Sequence, residues 1–541
     1  MKPGVLGNTP NAGRTTKPQI LVLCVHLHED RARKKDRDYL QPMAGLHIGS
    51  LVDRRKYRVT LYHEMWHGAY ATAEIRPGEY AIVFLTGLQM DFDRMRQLSY
   101  FFRRAKALTV AGGSLCTLFP DFARQFFDVV CAGGVDCVVD VMRDYEKQAV
   151  KPIYFSPQSK IRDYRLDHRL MEDAGIHVPV HFIEASRGCS FKCDFCSIPA
   201  EGATHAVYDL AAITQNIDDS IASSRRFSIK RLYPMVWFID NNFSNNRAHL
   251  RQVCRYLSEN RRIRMWGALV TQDVLRDRDL VKFMAASKCR GVFTGIESFD
   301  VGFLKAHDKW QNMKGSTSLI ADIEFAESLG MLIDYGYLFD PRMTSVERMK
   351  AEMRFILQSD VLNFPYFVAF VAPLLGTKLF WQALQRRELL PNLRLRDLDG
   401  RCVAYRNTSD GYDLLGEFAA TIFGNPLIYS NRAKTLRRFC RHAWRYGRKN
   451  PVMSYLFYQN RARLRRLGYK HSKAVKRNYI GGRDVLDPQY RDYPPGITAE
   501  ERRVYFDPIM VTDGEGRAAP WLERYWGAPV GDSQDIKARR S

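Results

Sequence analysis

The sequence predicts an α/β chain: a doubly wound parallel sheet, then a partial (β/α)6 barrel, then a basic C-terminal region that is mostly helical or irregular. Three observations carry this. Short apolar runs alternate with helix-like stretches from residue 18 to about 150, as parallel strands with crossover helices do. Glycines stand where two of these runs end, Gly112 and Gly113, then Gly133 and Gly134. A second series of six βα repeats begins beside three closely spaced cysteines, Cys189, Cys193 and Cys196.

Residues 1–17 are rich in Gly, Pro, Thr and Asn and lack an apolar core, so they read as a flexible N-terminus and not as a secretory signal. The first domain, 18–150, has strands at 19–25, 58–62, 80–86, 107–110 and 128–131, with helices near 44–53 and 92–105. In such sheets ligands bind at the carboxyl ends of the strands. Gly112 and Gly113 are therefore candidates for a close backbone approach to a ligand. Residues 151–177 read as a linker. The second domain, 178–385, has strands at 178–185, 235–240, 263–270, 289–296, 332–339 and 366–371. Reactive groups belong at the carboxyl ends of barrel strands. Asp240 and Asn242 end the second strand, and Glu297 ends the fourth. A carboxylate such as Glu297 can accept from hydroxyl or ammonium groups; a structural ion pair is its competing role. For Asp240 and Asn242 the competing role is a turn held by side-chain hydrogen bonds.

The chain has 541 residues, 46% hydrophobic and 26% charged, an ordinary globular balance. No run reaches the roughly 18 apolar residues needed to span a bilayer. The net charge is +23, of which the stretch 432–477 supplies sixteen Lys and Arg with no Asp or Glu. Such a block selects anionic partners. Trp444, Tyr455, Phe457 and other aromatics interleave with it, which suits peripheral contact with an anionic membrane. A solvated helical face is the alternative. Nucleic acid is the least favoured partner, since no nucleic-acid module is recognisable.

Eleven cysteines are present. Eight are scattered, mostly in apolar runs, and read as buried thiols. Cys189, Cys193 and Cys196, at spacings of four and three, can hold three irons of a cubane [4Fe–4S] cluster and leave the fourth iron open. Electron-carrier clusters usually have four cysteines. The alternative is a zinc knuckle completed by His205. Residues His63 to His67 match H-E-x-x-H, but that pattern binds zinc only on a helix. Here it follows a strand and runs into Gly68, so it reads as coincidental.

The C-x3-C-x2-C spacing, with Phe195 just before the last cysteine, resembles the signature of the radical S-adenosylmethionine (SAM) superfamily. Asp240 to Phe243, Gly295 to Ser298 and Pro373 to Thr377 resemble that family's second, fourth and sixth strand ends. The resemblance covers about residues 178–385. It implies a [4Fe–4S] cluster on the three cysteines, SAM on the open iron near Phe195 and Glu297, and cleavage of SAM to a 5′-deoxyadenosyl radical. Asp240 and Asn242 would orient SAM or line the substrate side. Residues 18–150 resemble the Rossmann-like cobalamin-binding domain that precedes many such barrels, through Pro42 to Leu46, Gly112 to Ser114 and Asp128 to Gly134. The Asp-x-His-x-x-Gly signature, whose histidine coordinates cobalt in relatives, is absent, so the sequence leaves cobalamin open. With cobalamin the resemblance implies methylation of an unactivated carbon, and the basic-aromatic stretch suits a hydrophobic, lipid-like small molecule. Without it, rearrangement, cyclisation or oxidation is implied. Radical modification of RNA and a non-enzymatic Fe–S protein are the other readings. An external electron donor and a reducing, cytoplasmic compartment follow from a low-potential cluster, with peripheral contact at the inner membrane face.

Overall fold

The computed structural model describes residues 17–26, 42–157, 165–313, 318–363, 365–400, 402–424, 440, 444 and 493–525. The first sheet is built from β1 (Gln19–Cys24), β2 (Arg58–His63), β3 (Ile82–Gly87), β4 (Leu108–Gly113), β5 (Val129–Gly133) and β6 (Ile153–Ser156). All neighbours are parallel, in the order β2-β1-β3-β4-β5-β6. Ile20, Leu21, Val22 and Leu23 are all buried. Neighbouring side chains point to opposite faces, so β1 is covered on both, which is why it reads as a continuous apolar run. β6 extends the sheet beyond residue 150, and the helix Arg169–Asp173 packs Leu170 and Met171 into the same core. Much of the predicted linker is therefore part of the first unit.

The second sheet consists of β7 (His181–Ile183), β10 (Met235–Phe238), β11 (Met265–Val270), β12 (Cys289–Glu297), β13 (Leu332–Phe339) and β14 (Phe367–Phe370), paired in chain order and all parallel. Between β7 and β10 a two-stranded antiparallel pair, β8 (Ser186–Arg187) and β9 (Ala206–Val207), brackets the cysteines. This is a six-stranded half-barrel. Its first strand is shorter than the predicted 178–185, because Ala185 and Ser186 turn away from the ladder to donate their N–H groups to Asp240. Helices cover its convex side, over Val236, Trp266, Val292, Ile333 and Tyr337. Four of them start on a side-chain cap, from Asn246, Asp277, Ser318 and Ser345.

The C-terminal region departs from expectation. Leu389, Leu393, Leu395, Leu398, Ile509, Val511 and Leu522 enter the core on one face of the first sheet, with Phe92, Leu98 and Phe127. A buried charge cluster fastens them. Asp93 accepts from Arg96 at 2.7 Å, from Arg396 at 2.7 Å and from the Ile509 N–H at 3.2 Å. Arg96 also donates to the Val504 carbonyl at 2.5 Å. The stretch 432–477, apart from Cys440 and Trp444, lies outside the described residues. No helix among the described residues is long and apolar enough to cross a membrane.

Asp93→Ala leaves the Arg96 guanidinium buried without its carboxylate. Removing one partner of a buried pair costs about 3–5 kcal/mol, so the urea midpoint should fall by that equivalent, while Arg55→Ala, at an exposed pair, should change it little.

Candidate active site

The cysteine loop leaves β8 at Gly188, whose φ is +77° and where a Cβ would collide with the Thr204 carbonyl. Only glycine fits both conditions. The loop has little regular structure, and the end of β10 holds it. Asn241 accepts from the Gly188 N–H at 2.9 Å. Asn245 accepts from the Ser190 N–H at 3.1 Å and the Ser190 hydroxyl at 2.6 Å. Asn242 donates to the Cys189 sulfur at 3.8 Å, and its Oδ1 accepts from the Ser244 N–H at 3.1 Å. Gln311 donates to the Cys193 sulfur at 3.4 Å. Asp240 and Asn242 thus stand behind the loop, both buried. Burial, then the nearby Glu184 carboxylate, pushes Asp240 up to about 7, although the Ser186 and Ala185 amides oppose the shift.

Burial pushes the Cys196 thiol up to about 12 and raises Cys193 as well. Such thiols ionise when a cation takes the place of the proton. Among the described residues no group of three or more His, Cys, Asp or Glu side chains converges to hold one ion. A zinc knuckle needs that convergence. A cubane does not, because each thiolate takes a different iron. The donor set, three soft sulfurs on one loop with side-chain donors on two of them, fits such a cluster.

Glu297 ends β12 in the left-handed region, φ +64°. It is buried and accepts from the Lys309 ammonium at 2.8 Å. A Cβ at Gly295 would collide with the Glu297 carboxylate, so that glycine makes room for the pair. Burial opposes the charge on Lys309, but Glu297 and the Cys193 thiol outweigh it and raise its pKa. The Lys309 nitrogen lies 5.8 Å from the centre of the Phe195 ring. Phe195 in turn packs on Phe303, Leu304, Leu338, Val371 and Leu379. Phe195, Glu297 and the cysteines are brought together at the carboxyl mouth of the half-barrel.

Behind the loop runs a buried chain of charges that the sequence did not reveal. Asp194 lies 3.0 Å from His307 Nδ1, and His307 Nε2 lies 3.2 Å from Asp340. Arg342 pairs with Asp340 at 2.7 Å and with Glu388 at 2.9 Å. Burial disfavours a charged His307, but its bonds to Asp194 and Asp340 outweigh that and hold its pKa at about 9. Asp340, despite burial, is held at about 2 by His307 and Arg342. Of these residues Asp194 had a signal in the sequence, its place inside the cysteine motif, and so had Asp340, which ends the 332–339 strand.

The carboxyl edge of the first sheet faces this mouth. Gln89 donates to the Leu375 carbonyl at 3.0 Å and accepts from the Leu375 N–H at 3.1 Å. Ser114 donates to Glu201 at 2.6 Å. Three adjacent strands, β3, β4 and β5, end in glycine there. Gly113, φ +115°, lets β4 close against the Gly87 carbonyl, whereas a Cβ at Gly112 would meet nothing nearer than 3.9 Å. An edge where three strands end in glycine and Gly112 has open space beside it leaves room for a group such as cobalamin. The H-E-x-x-H residues do not form a metal site. His67 lies against the His63 N–H at 3.0 Å and the Ala174 carbonyl at 2.8 Å, one ring nitrogen to each. Glu64 is buried against Arg94 at 3.0 Å.

His307 carries a raised pKa in the folded state, so its contribution to stability is complete below its unfolded value of about 6.5 and is lost as pH rises through about 9. The loss amounts to about 3 kcal/mol at most. Urea midpoints taken from pH 6 to 10 should fall in the wild type and fall less in His307→Gln.

No family model matches the chain. It is similar to the bacteriochlorophyllide d C-8(2)-methyltransferase of Chlorobaculum tepidum, 22% identical over 315 residues, which cover 56% of this chain and 68% of that one. It is also similar to the hopanoid C-2 methylase of Rhodopseudomonas palustris, 26% identical over 238 residues, 43% of this chain and 41% of the relative. Its fold matches that of the radical SAM methyltransferase TsrM from Kitasatospora setae with cobalamin and a [4Fe–4S] cluster bound, at TM-score 0.51 and 14% identity over 70% of this chain and 79% of that one. It also matches the cobalamin-dependent SAM radical enzyme OxsB with aqua-cobalamin and SAM bound, at TM-score 0.55 and 13% identity over 85% and 78%. With three cysteines at the mouth of a half-barrel that follows a doubly wound sheet, the chain has the fold of cobalamin-dependent radical SAM enzymes and is similar in sequence to methyltransferases that act on carbon.

Proposed function

We propose that this protein is a cobalamin-dependent radical SAM enzyme that methylates an unactivated carbon of a hydrophobic, lipid-like small molecule. The observation that carries it is the meeting of two carboxyl edges, the cysteine-bearing mouth of the half-barrel and the glycine-ended edge of β3, β4 and β5. The names of the two relatives, a C-8(2)-methyltransferase and a C-2 methylase, support methyl transfer to carbon. Bound at this junction, a [4Fe–4S] cluster supplies the electron that splits SAM, and cobalamin supplies a methyl group.

The chain's own residues bind, orient and exclude water. Cys189, Cys193 and Cys196 hold three iron corners and leave one for SAM. Asn242 and Gln311 donate to two of the sulfurs, which favours the thiolate form. Lys309 and Glu297, already paired and buried, present a cation and a carboxylate to the carboxylate and ammonium of SAM. Phe195 closes the apolar side. Gly112 and its neighbours at the strand ends would hold cobalamin. The concave face supports an apolar substrate. Trp237 lies against Gly267 and Gly291, Phe367 lies against Gly336, and Phe293 stacks with Phe367 at 5.8 Å. An external one-electron donor completes the system, and the buried thiols and cluster call for the reducing cytoplasm.

Anaerobically purified protein should carry about four irons per chain together with stoichiometric cobalt. Replacing any one cysteine of the triplet by Ala should abolish 5′-deoxyadenosine formation; SAM cleavage that survives in the triple variant would overturn the reading. Lys309→Met removes a charge-assisted contact worth about 1.5–3 kcal/mol, so the KM for SAM should rise about 10- to 100-fold with iron content unchanged.

A further inference from the structure

We propose that the amino-terminal rim of the half-barrel docks on the surface of an anionic phospholipid bilayer. The segment 225–233, which leads into β10, presents exposed Arg225, Arg226 and Arg231 and has no acidic residue, its fourth basic residue, Lys230, being buried. Phe227, Ile229 and Leu232 within it are 81%, 60% and 63% exposed. Ile229–Leu232 forms one helical turn, so Ile229 and Leu232 lie on the same side. The turn is held from below and cannot fold its apolar residues inward. Arg231 donates to the carbonyls of Ala222 and Ser224 at 3.1 and 3.0 Å, and the Lys230 carbonyl is bonded to the His181 ring at 2.8 Å.

The neighbouring loop adds charge of the same sign. Arg264 donates its N–H to the Pro234 carbonyl at 2.9 Å, which sets exposed Arg261, Arg262 and Arg264 beside the turn. Two of the rim's arginines have a carboxylate near, Arg225 with Glu172 at 3.4 Å and Arg262 with Asp218 at 3.2 Å. Exposed Tyr366 and Phe367 begin β14 on the same rim.

An exposed apolar patch rimmed by charge marks an interaction surface, and the excess of arginines over carboxylates here selects an anionic occupant. Of the three exposed apolar residues in 225–233 only Phe227 offers a π-face, and Ile229 and Leu232 offer none, which disfavours a run of stacked bases on single-stranded nucleic acid. Apolar side chains in the acyl boundary with arginines at phosphate level is the arrangement of interfacial binding. The cysteines stand at the opposite, carboxyl ends of the strands, so docking leaves the reactive mouth uncovered.

The full-length protein is sedimented with vesicles of phosphatidylcholine alone and of phosphatidylcholine mixed with phosphatidylglycerol. It should partition into the anionic vesicles about tenfold or more over the neutral ones. Two variants, Phe227→Ser with Ile229→Ser and Leu232→Ser, and Arg225→Gln with Arg226→Gln and Arg261→Gln, should each lose about tenfold or more of that binding. Both should keep wild-type SAM cleavage, which reports that they are folded. The arginine set changes only exposed side chains and keeps the test readable if the first variant is unstable. Wild-type binding in the arginine set would place any membrane contact elsewhere, in 432–477, and overturn the proposal. So would equal partition into neutral vesicles, or release of the protein from anionic vesicles by a single-stranded RNA oligomer.

Discussion

The anchoring of an irregular loop by the end of one strand governs the rest of this structure. Residues 188–196 cannot hold three thiols in place through backbone pairing. Asn241, Asn242 and Asn245 do it instead, by accepting from loop amides and a loop hydroxyl and donating to one sulfur, while Asp240 fixes Ala185 and Ser186 just before the loop. Each bond is modest in isolation, and leaving its buried partner unmet is costly. The loop and the β10 end are therefore one unit. The half-barrel places that unit beside Glu297 and Lys309, and the first sheet closes over it.

Charge inside the molecule follows the same logic. Asp194, His307, Asp340, Arg342 and Glu388 alternate in sign from the cysteine loop toward the C-terminal region. A buried ion is tolerated when opposite charge and hydrogen bonds surround it. His307 meets that condition on both nitrogens and stays protonated. A second such cluster, around Asp93, ties Arg396 and Ile509 to the first sheet. The C-terminal region thus completes the core of the N-terminal domain, and residues 400 positions apart share one folding unit.

Most of the strands were legible in the sequence because each is a short apolar run between turn residues, with a period that backbone geometry imposes. The cysteine triplet was legible for a chemical reason: soft ligands at short spacing have few other uses. Glu297 stood out because it ends a barrel strand. His307, Lys309 and Gln311 did not, since the turn that carries them has no periodic pattern and acquires its role from what lies opposite. Gln89 and Leu375, 286 residues apart, had no signal at all.

The sequence by itself determined that there are two parallel sheets, most of their strands along the chain and the spacing of three thiols, because hydrophobic periodicity and residue spacing are local properties of the chain. Tertiary structure decided the remainder. It turned Asp240 and Asn242 into supports of the loop, paired Lys309 with Glu297, set a glycine-ended edge opposite the cysteines and carried the C-terminal region back to the first core. Those outcomes depend on which buried charges and carbonyls find partners across hundreds of residues, and packing alone settles that.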